Sequence, residues 1–294
     1  MKIAMDARMI HHGGIGTYIR NLLPYLELGQ VPLLSSIYTL AEQIELPVKI
    51  PHCELFWSPH FNVPFFPTRA QKYVVTIHDV AHLDCLGAFA KRFYAKILLK
   101  KAVQMATRII TVSHFSKERI LHYFPEGQDK ITVIHPGADH LLGVTPEPVE
   151  VPTPFFLFVG SEKSHKNLSM IRKIIPNLFV VKDGFLPIEN LCWLYQNAEA
   201  LIFPSLYEGW GLPPLEAMSL GCPVIASSAA SIPEACGSAP LYFDPYSSED
   251  LKKALINLPE KRDALIAKGK EHSAKFTWKH AAEQHSFVFR GIGT

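Results

Sequence analysis

Glu208-Gly-Trp-Gly-Leu-Pro-Pro-Leu-Glu216 sets two carboxylates eight positions apart, with two glycines and a Pro-Pro pair between them. An apolar run, Ala200-Leu-Ile-Phe-Pro-Ser205, precedes it. A short helix from Leu215 to Leu220 is expected after it, stopped by Gly221, and then a second strand, Pro223-Val-Ile-Ala226. Strand, glycine loop, helix, strand is the order of a parallel βαβ unit. Ligands of such sheets bind beyond the carboxyl ends of the strands. Both acids are expected there, Glu208 on the loop and Glu216 in the helix's first turn.

The residue types suit a charged, hydroxyl-rich ligand. A helix N-terminus offers free N–H groups and partial positive charge to a phosphate. Gly209 and Gly211 let backbone approach where a Cβ would clash, so Gly209, Trp210, Gly211 and Leu212 are expected to line the substrate. Ionised carboxylates only accept, and each can take two hydroxyl bonds. Phosphate flanked by hydroxyls describes a nucleotide-sugar. A plain reading competes: Glu216 complementing the helix dipole and Glu208 a solvated loop acid.

The surrounding residues decide between them. Ala217-Met218, Gly221-Cys-Pro-Val-Ile-Ala226, Ile232-Pro-Glu-Ala235 and Phe243-Asp-Pro245, together with the two acids, resemble the E-x7-E region of retaining GT-B glycosyltransferases similar to glycosyltransferase family 4. The resemblance implies that Glu208 contacts the transferred sugar and Glu216 the nucleotide ribose.

Composition narrows the class. The chain has 294 residues, enough for two domains. With 48% apolar and 19% charged residues it can bury a sizeable core. A formal charge of +2 gives no electrostatic case for nucleic acid. Cysteines 53, 85, 192, 222 and 236 are scattered, without a C-x-x-C, and read as reduced cytoplasmic thiols. No signal peptide is visible, and no apolar run reaches the ~20 residues of a membrane span.

Along the chain, Ile3-Ala-Met5 reads as a strand, followed by a glycine loop and a helix from about Thr17 to Glu27. Tyr73–Ile77, Arg108–Val112 and Lys130–Ile134 read as strands, Ala88–Met105 as a helix, and Ser113 as an N-cap. The proline-rich stretch 143–154 reads as an interdomain linker. The expected domains are 1–145, with 278–294 packing back on it, and 146–277. The second begins at Phe155-Phe-Leu-Phe-Val159 and ends in helices near Ser248–Leu258, Pro259–Lys275 and Trp278–Phe289. Between Leu168 and Leu191 only Leu178–Val181 reads as a strand, fewer elements than the family carries there.

Three further motifs fall at strand ends. Gly14 and Gly16, in His12-Gly-Gly-Ile-Gly-Thr-Tyr18, could cradle a phosphate. Ile19 at the third glycine position breaks the dinucleotide fingerprint. Gly160-Ser-Glu-Lys-Ser-His-Lys-Asn167 resembles the family segment whose lysine and arginine neutralise the departing diphosphate. Lys166 matches the lysine; Ser161 stands where the arginine is expected, with Lys163 close by. His78-Asp79 resembles the family pair facing the transferred sugar, the histidine donating to a hydroxyl and Asp79 orienting it. A metal site of His78, Asp79, His82 and Asp84, and a buried structural histidine, are the rivals. Arg92, Lys96 and Lys100 recur along one helix face, either solvated or resting on anionic lipid.

The expected fold is α/β, a GT-B arrangement of two Rossmann-like domains facing a cleft with a C-terminal helix crossing back. The expected function is transfer of a hexose from a nucleoside diphosphate sugar to a glycan or lipid-linked acceptor, with retention and without metal or cofactor. The expected catalytic residues are His78, Glu208 and Lys166. The expected location is cytoplasmic, with peripheral contact at the inner face of the membrane. A degenerate, non-catalytic nucleotide-sugar-binding subunit is the alternative; a Rossmann oxidoreductase lacks its fingerprint.

Overall fold

The computed structural model describes residues 1–85, 89–182 and 186–292. The chain divides into two compact units, Met1–Pro136 with Trp278–Thr294, and Gly137–Thr277.

Unit 1 holds β1 (Ile3–Asp6), α1 (Gly13–Leu22), β2 (Gly29–Val31), α2 (Leu40–Lys49), β3 (Cys53–Ser58) and β4 (Ala70–Thr76). It continues with α3 (Ala81–Asp84), α4 (Phe89–Met105), β5 (Arg108–Thr111), α5 (His114–Tyr123) and β6 (Ile131–Val133). The strands form one parallel sheet in the order β2-β1-β3-β4-β5-β6. The step from β1 to β2 runs opposite to every later step. Right-handed crossovers therefore put α1 on one face and α2, α4 and α5 on the other. Packing agrees. Phe56 and Tyr73 pack with Leu46 and Ile50, and Val75 and Ile109 with Leu99 and Ile120. Ser113 caps α5 as expected, accepting from the Ser116 N–H at 2.9 Å. The glycines expected to form a loop lie instead inside α1, whose first turn closes when the Gly16 N–H donates to the His12 carbonyl at 2.8 Å.

The last helix of the chain, numbered below, spans Trp278–Arg290 and packs in unit 1 on the α1 face. Its rings surround Trp57 and Tyr18: Phe289 lies 5.5 Å from Trp57 and Trp278 6.1 Å from Tyr18. His285 is fully buried among them. Its Nδ1 is 2.7 Å from the Ala281 carbonyl, which can only accept, so Nδ1 carries the hydrogen and Nε2 accepts from the Tyr18 hydroxyl. Burial disfavours the imidazolium and pushes its pKa from 6.5 down to about 4. As pH falls through 6.5 the unfolded chain takes up a proton that the folded chain refuses until about 4. Stability from this group is thus complete above that window and lost across it, by up to ~3 kcal/mol. Urea titrations across the window should show a slope that drops by about one proton in His285→Phe; equal slopes in the two proteins would place the titration elsewhere.

Unit 2 holds β7 (Phe156–Val159), α6 (Leu168–Arg172), β8 (Leu178–Val181), α7 (Ile188–Asn197) and β9 (Leu201–Phe203). Then come α8 (Leu212–Ser219), β10 (Val224–Ser227), α9 (Ile232–Cys236), β11 (Leu241–Phe243) and α10 (Ser248–Ser273); the closing helix of unit 1 is α11. The parallel sheet runs β11-β10-β9-β7-β8. Strand order reverses between β7 and β9, which is where α/β sheets open a binding crevice.

Several expectations are corrected here. The boundary at 145/146 falls inside unit 2, because the Ala138 N–H donates to the Phe276 carbonyl at 2.9 Å and the turn Asp139–Leu141 packs on α8. The stretch 143–154 is not a linker between the units but runs along unit 2, where the Glu147 N–H bonds to the Glu189 carbonyl at 3.1 Å. The two expected helices 248–258 and 259–275 are one, α10, continuous through Pro259. Its inward residues Leu251, Ala254, Leu258 and Leu265 belong to one core cluster, which outweighs the single lost backbone bond. The helix after Gly211 starts at Leu212, not Leu215.

Candidate functional site

In unit 2 the predicted residues gather at the β7/β9 crevice. Lys166 ends a 3₁₀ turn, Ser164–Lys166, in the loop after β7, and Glu208 lies in the loop after β9. The Leu206 N–H donates to the His165 carbonyl at 2.7 Å and ties the two loops together. Lys166 Nζ is 2.8 Å from Glu208 Oε1, with both side chains mostly buried. The same ammonium sits 5.7 Å from the Phe203 ring centre. The backbone carbonyls of Glu208 and Trp210 each lie 2.9 Å from the Ser231 hydroxyl, which anchors the loop on α9's N-cap. Trp210 is buried edge-on to Phe276 at 5.4 Å. Gly209 is buried as well.

Gly211 has φ +125°, which only glycine adopts without strain, and it is the N-cap of α8. Leu212 opens the helix, and Pro213 and Pro214 follow it. Prolines carry no N–H, so this N-terminus offers a ligand fewer donors than expected. Glu216 is the fifth residue of α8, in its second turn, a correction to its expected place beside the free N–H groups. It is 7% exposed. The Tyr195 hydroxyl donates to its Oε2 at 2.9 Å, and His140 Nε2 lies 3.2 Å from its Oε1. Both partners escape a reading of the sequence. Tyr195 looks like one more apolar residue of α7, and His140 reaches Glu216 only through the packing of the Asp139–Leu141 turn. Lys163 stands apart, exposed at the N-cap of the turn.

In unit 1, His78 follows β4. Its Nε2 is 2.9 Å from the Pro59 carbonyl, an acceptor, so Nε2 donates and Nδ1 keeps its lone pair. Burial lowers its pKa, with the Pro59 bond working in the opposite direction, so the ring is neutral near pH 7. The neutral ring keeps an acceptor at Nδ1, where the sequence reading expects a donor. Pro59, rather than Asp79, orients the ring; Asp79 Oδ1 accepts from the Ala81 N–H at 2.9 Å and starts α3. Of the rival metal set, Asp84 is held by Arg119, 2.9 Å from Nε, and by Tyr123 at 2.8 Å. Gly14 is exposed in α1's first turn with open space around it. Gly16 is buried, and a Cβ there would meet the Ile10 carbonyl oxygen at 2.6 Å, so a side chain would collide with the turn before α1.

Strand order in unit 1 reverses between β1 and β3, and that point is filled by the chain's own charges. Asp6, at the end of β1, meets Arg8 Nη2 at 2.6 Å and His60 Nε2 at 3.1 Å. Arg8 Nη1 meets Glu42 at 3.0 Å, and Asn62 Nδ2 donates to Glu42 as well. Burial alone would raise the Asp6 pKa, but the bonds from His60 and Arg8 hold it well below the carboxylate range.

Comparison with known proteins identifies the architecture. The profile of the family "Glycosyl transferases group 1" matches residues 137–272, and that of "Glycosyltransferase Family 4" matches residues 30–140. O-antigen chain mannosyltransferase B of Escherichia coli is 25% identical over 278 residues, covering 78% of this chain and 72% of its own. O-antigen chain mannosyltransferase RfbU of Salmonella typhimurium is 25% identical over 267 residues, covering 80% of this chain and 73% of its own. Among solved structures, HepE of Anabaena in complex with UDP and glucose superposes with a TM-score of 0.75 at 13% identity, over 99% of this chain and 100% of that one. Sucrose-phosphate synthase from Thermosynechococcus elongatus gives a TM-score of 0.74 at 17% identity, over 99% of both chains. These two share the fold, and the two profiles show that residues 137–272, nearly all of unit 2, are a group 1 glycosyltransferase domain and that residues 30–140 match a family 4 glycosyltransferase domain.

Proposed function

We propose that this enzyme moves a hexose, as mannosyltransferases do, from a nucleoside diphosphate sugar to a hydroxyl of a glycan or lipid-linked acceptor, with retention and without a divalent metal, at the cytoplasmic face of a membrane. The observation that carries this reading is the Lys166–Glu208 pair at the β7/β9 crevice, 2.8 Å apart. Lys166 faces the diphosphate and offsets the charge it gains on leaving. Glu208 accepts from the hexose hydroxyls. Glu216, steadied by Tyr195 and His140, keeps lone pairs for the ribose hydroxyls. In the reaction the bond from the anomeric carbon to the diphosphate oxygen breaks. The acceptor oxygen bonds to the same face of that carbon, and its proton passes to the leaving phosphate. His78 Nδ1 accepts a hydroxyl of the hexose. The mannosyl preference rests on the two O-antigen relatives, and the nucleotide donor on the UDP complex of HepE.

The test is thermal unfolding with GDP, UDP and GDP-mannose, each with and without EDTA. A diphosphate at a hundred times its Kd should stabilise the protein by ~2.7 kcal/mol and raise Tm. No shift with any of them, or a shift abolished by the chelator, overturns the metal-free donor site. A shift without any hydrolysis or transfer of the sugar favours the non-catalytic binding subunit, the alternative suggested by Ser161 in the arginine position.

A further inference from the structure

Both sheets stop two strands from their switch points, at β2 in unit 1 and at β8 in unit 2. A doubly wound sheet of the common kind carries a third strand there. An open edge presents unpaired backbone N–H and C=O groups to any strand that can reach it, so chains blunt their edges. The edge at β2 is blunted. Gly29-Gln-Val31 is three residues long, Gly29 and Gln30 are exposed without an apolar side chain, and Pro32 follows. Lys2, Glu27 and Lys49 stand around it. The edge at β8 carries none of these devices. Leu178-Phe-Val-Val181 is wholly apolar and contains no proline, glycine or charge.

The hydrogen bonds to β7 fix which groups of β8 are spare. The Phe156 N–H donates to the Asn177 carbonyl at 3.1 Å and the Gly160 N–H to the Val181 carbonyl at 3.0 Å. Backbone groups alternate in direction along a strand, so those of Asn177, Phe179 and Val181 face β7 and those of Leu178 and Val180 face outward. Among the described residues no strand pairs with them. The side chains on both faces of this edge are only partly covered. Leu178 and Val180 lie at the rim of the core cluster under α10, and Phe179 lies on the other face, 6.1 Å from Phe155. A groove borders each face. One of about 630 Å³ lies between α6 and α10, lined by Met170, Ile174, Leu255 and Ile256. The other, of about 360 Å³, is lined by Pro152, Phe155, Pro176 and Phe179.

We propose that β8 pairs antiparallel with β8 of a second copy of this chain, joining the two unit 2 sheets into one across a two-fold axis at Phe179. Such a contact must be self-complementary, and the direction of the spare groups allows it. Leu178 of each copy meets Val180 of the other and exchanges N–H···O=C bonds with it, while the two Phe179 rings meet as the closer, non-bonded pair. Every position from 178 to 180 then sets apolar against apolar. Charge admits the copy as well. Lys182, paired with Glu162 at 3.4 Å, is the cation next to the strand. At ~3.4 Å per residue its counterpart lies about 20 Å away, beyond the ~8 Å screening length at physiological salt. The edge offers no charge by which to select a different protein, whereas its own sequence matches it position for position. Four residues of paired strand cover too little surface for a specific dimer, which needs roughly 1,000 Å² or more. The two apolar grooves supply the remainder, with Ile256, 77% exposed, at the rim of the larger. The proposal goes beyond the transfer reading and needs no turnover for its test.

The test is sedimentation velocity of the full chain from dilute to concentrated solution, which is expected to show a monomer–dimer equilibrium. Val180→Pro removes an outward N–H and leaves the bonds to β7 intact, a place where edge strands accept proline. Because the two-fold axis doubles the loss, it should raise the dimer Kd at least about tenfold at unchanged Tm. Phe179→Cys, made with Cys85→Ser to remove the exposed thiol, should give a covalent dimer under mild oxidation. Opposed positions of a non-bonded pair bring their Cβ atoms near disulfide range. This second variant decides the matter if Val180→Pro lowers Tm. A chain that stays monomeric at every concentration overturns the proposal. So does a dimer that Val180→Pro leaves untouched at unchanged Tm, or one that Phe179→Cys fails to crosslink.

Discussion

Glu208→Gln should lower the rate of sugar transfer about tenfold to a hundredfold while tightening, or leaving unchanged, the binding of free nucleoside diphosphate. The two effects differ in sign because of one ion pair. Glu208 Oε1 sits 2.8 Å from Lys166 Nζ, so the carboxylate competes with any phosphate for that ammonium. Replacing it by a neutral amide leaves the cation to the diphosphate. It also removes the charged acceptor for the hexose hydroxyls, each such bond being worth roughly 1.5–3 kcal/mol. Glu216→Gln should behave differently and weaken both the free nucleotide and the intact donor, because on the proposed reading it serves the ribose and because it also loses its match to Tyr195 and His140. Calorimetry with GDP and UDP, set beside initial rates of transfer, separates these outcomes. If Glu208→Gln weakens the bare nucleotide as strongly as Glu216→Gln does, the division of labour between the two acids is wrong.

Arg8→Met should destabilise the protein by about 3–5 kcal/mol at neutral pH, the usual cost of leaving buried charge without its partner. Asp6 and Glu42 are 1% and 0% exposed, and Arg8 bridges them. Methionine fills much of the volume but leaves two buried carboxylates facing each other. The loss should shrink as pH falls, since a carboxylate that takes up a proton no longer repels its neighbour. Adding Asp6→Asn and Glu42→Gln to Arg8→Met should recover much of the stability for the same reason. Urea unfolding at neutral and mildly acid pH measures all of this. A loss below ~1 kcal/mol would mean that water reaches the cluster and screens it.

The fold was legible where local pattern and tertiary fate agree. Ala200–Phe203 and Pro223–Ala226 are apolar, bounded by turn residues and buried on both sides, as central parallel strands require. The place of Glu208 in the loop after β9 was readable from the flanking strands, whereas spacing alone favoured a solvated loop acid and a site role came only with the resemblance of the surrounding residues. Helix limits were harder. Pro213 and Pro214 look like breakers before a helix, yet they occupy its first turn, where a missing N–H costs nothing. Pro259 looks like a stop, yet α10 runs through it because its inward face is held by the unit 2 core. The chain from Gly29 to Ser58, which forms β2, α2 and β3, gave no clear signal. α2 places its polar residues inward and its apolar ones outward, the reverse of the pattern by which such helices are recognised. The polar groups around Arg8 come from positions 6, 42, 60 and 62, each of which reads as an ordinary solvated residue until the sheet gathers them. His140 and Tyr195 were invisible for the same reason.

The return of α11 to unit 1 sets an order on biosynthesis. Trp57 and Tyr18 emerge early from the ribosome, but the rings that cover them, Trp278, His285 and Phe289, come only after all of unit 2 has been made. At ordinary elongation speeds that delay is on the order of ten seconds. Throughout it, the part of the first sheet beside α1 that α11 covers stays bare and available to chaperones or to a neighbouring nascent chain. The unit that starts first therefore finishes last, and release of a chain shorter than Trp278 would leave a complete second unit tethered to an unsealed first one.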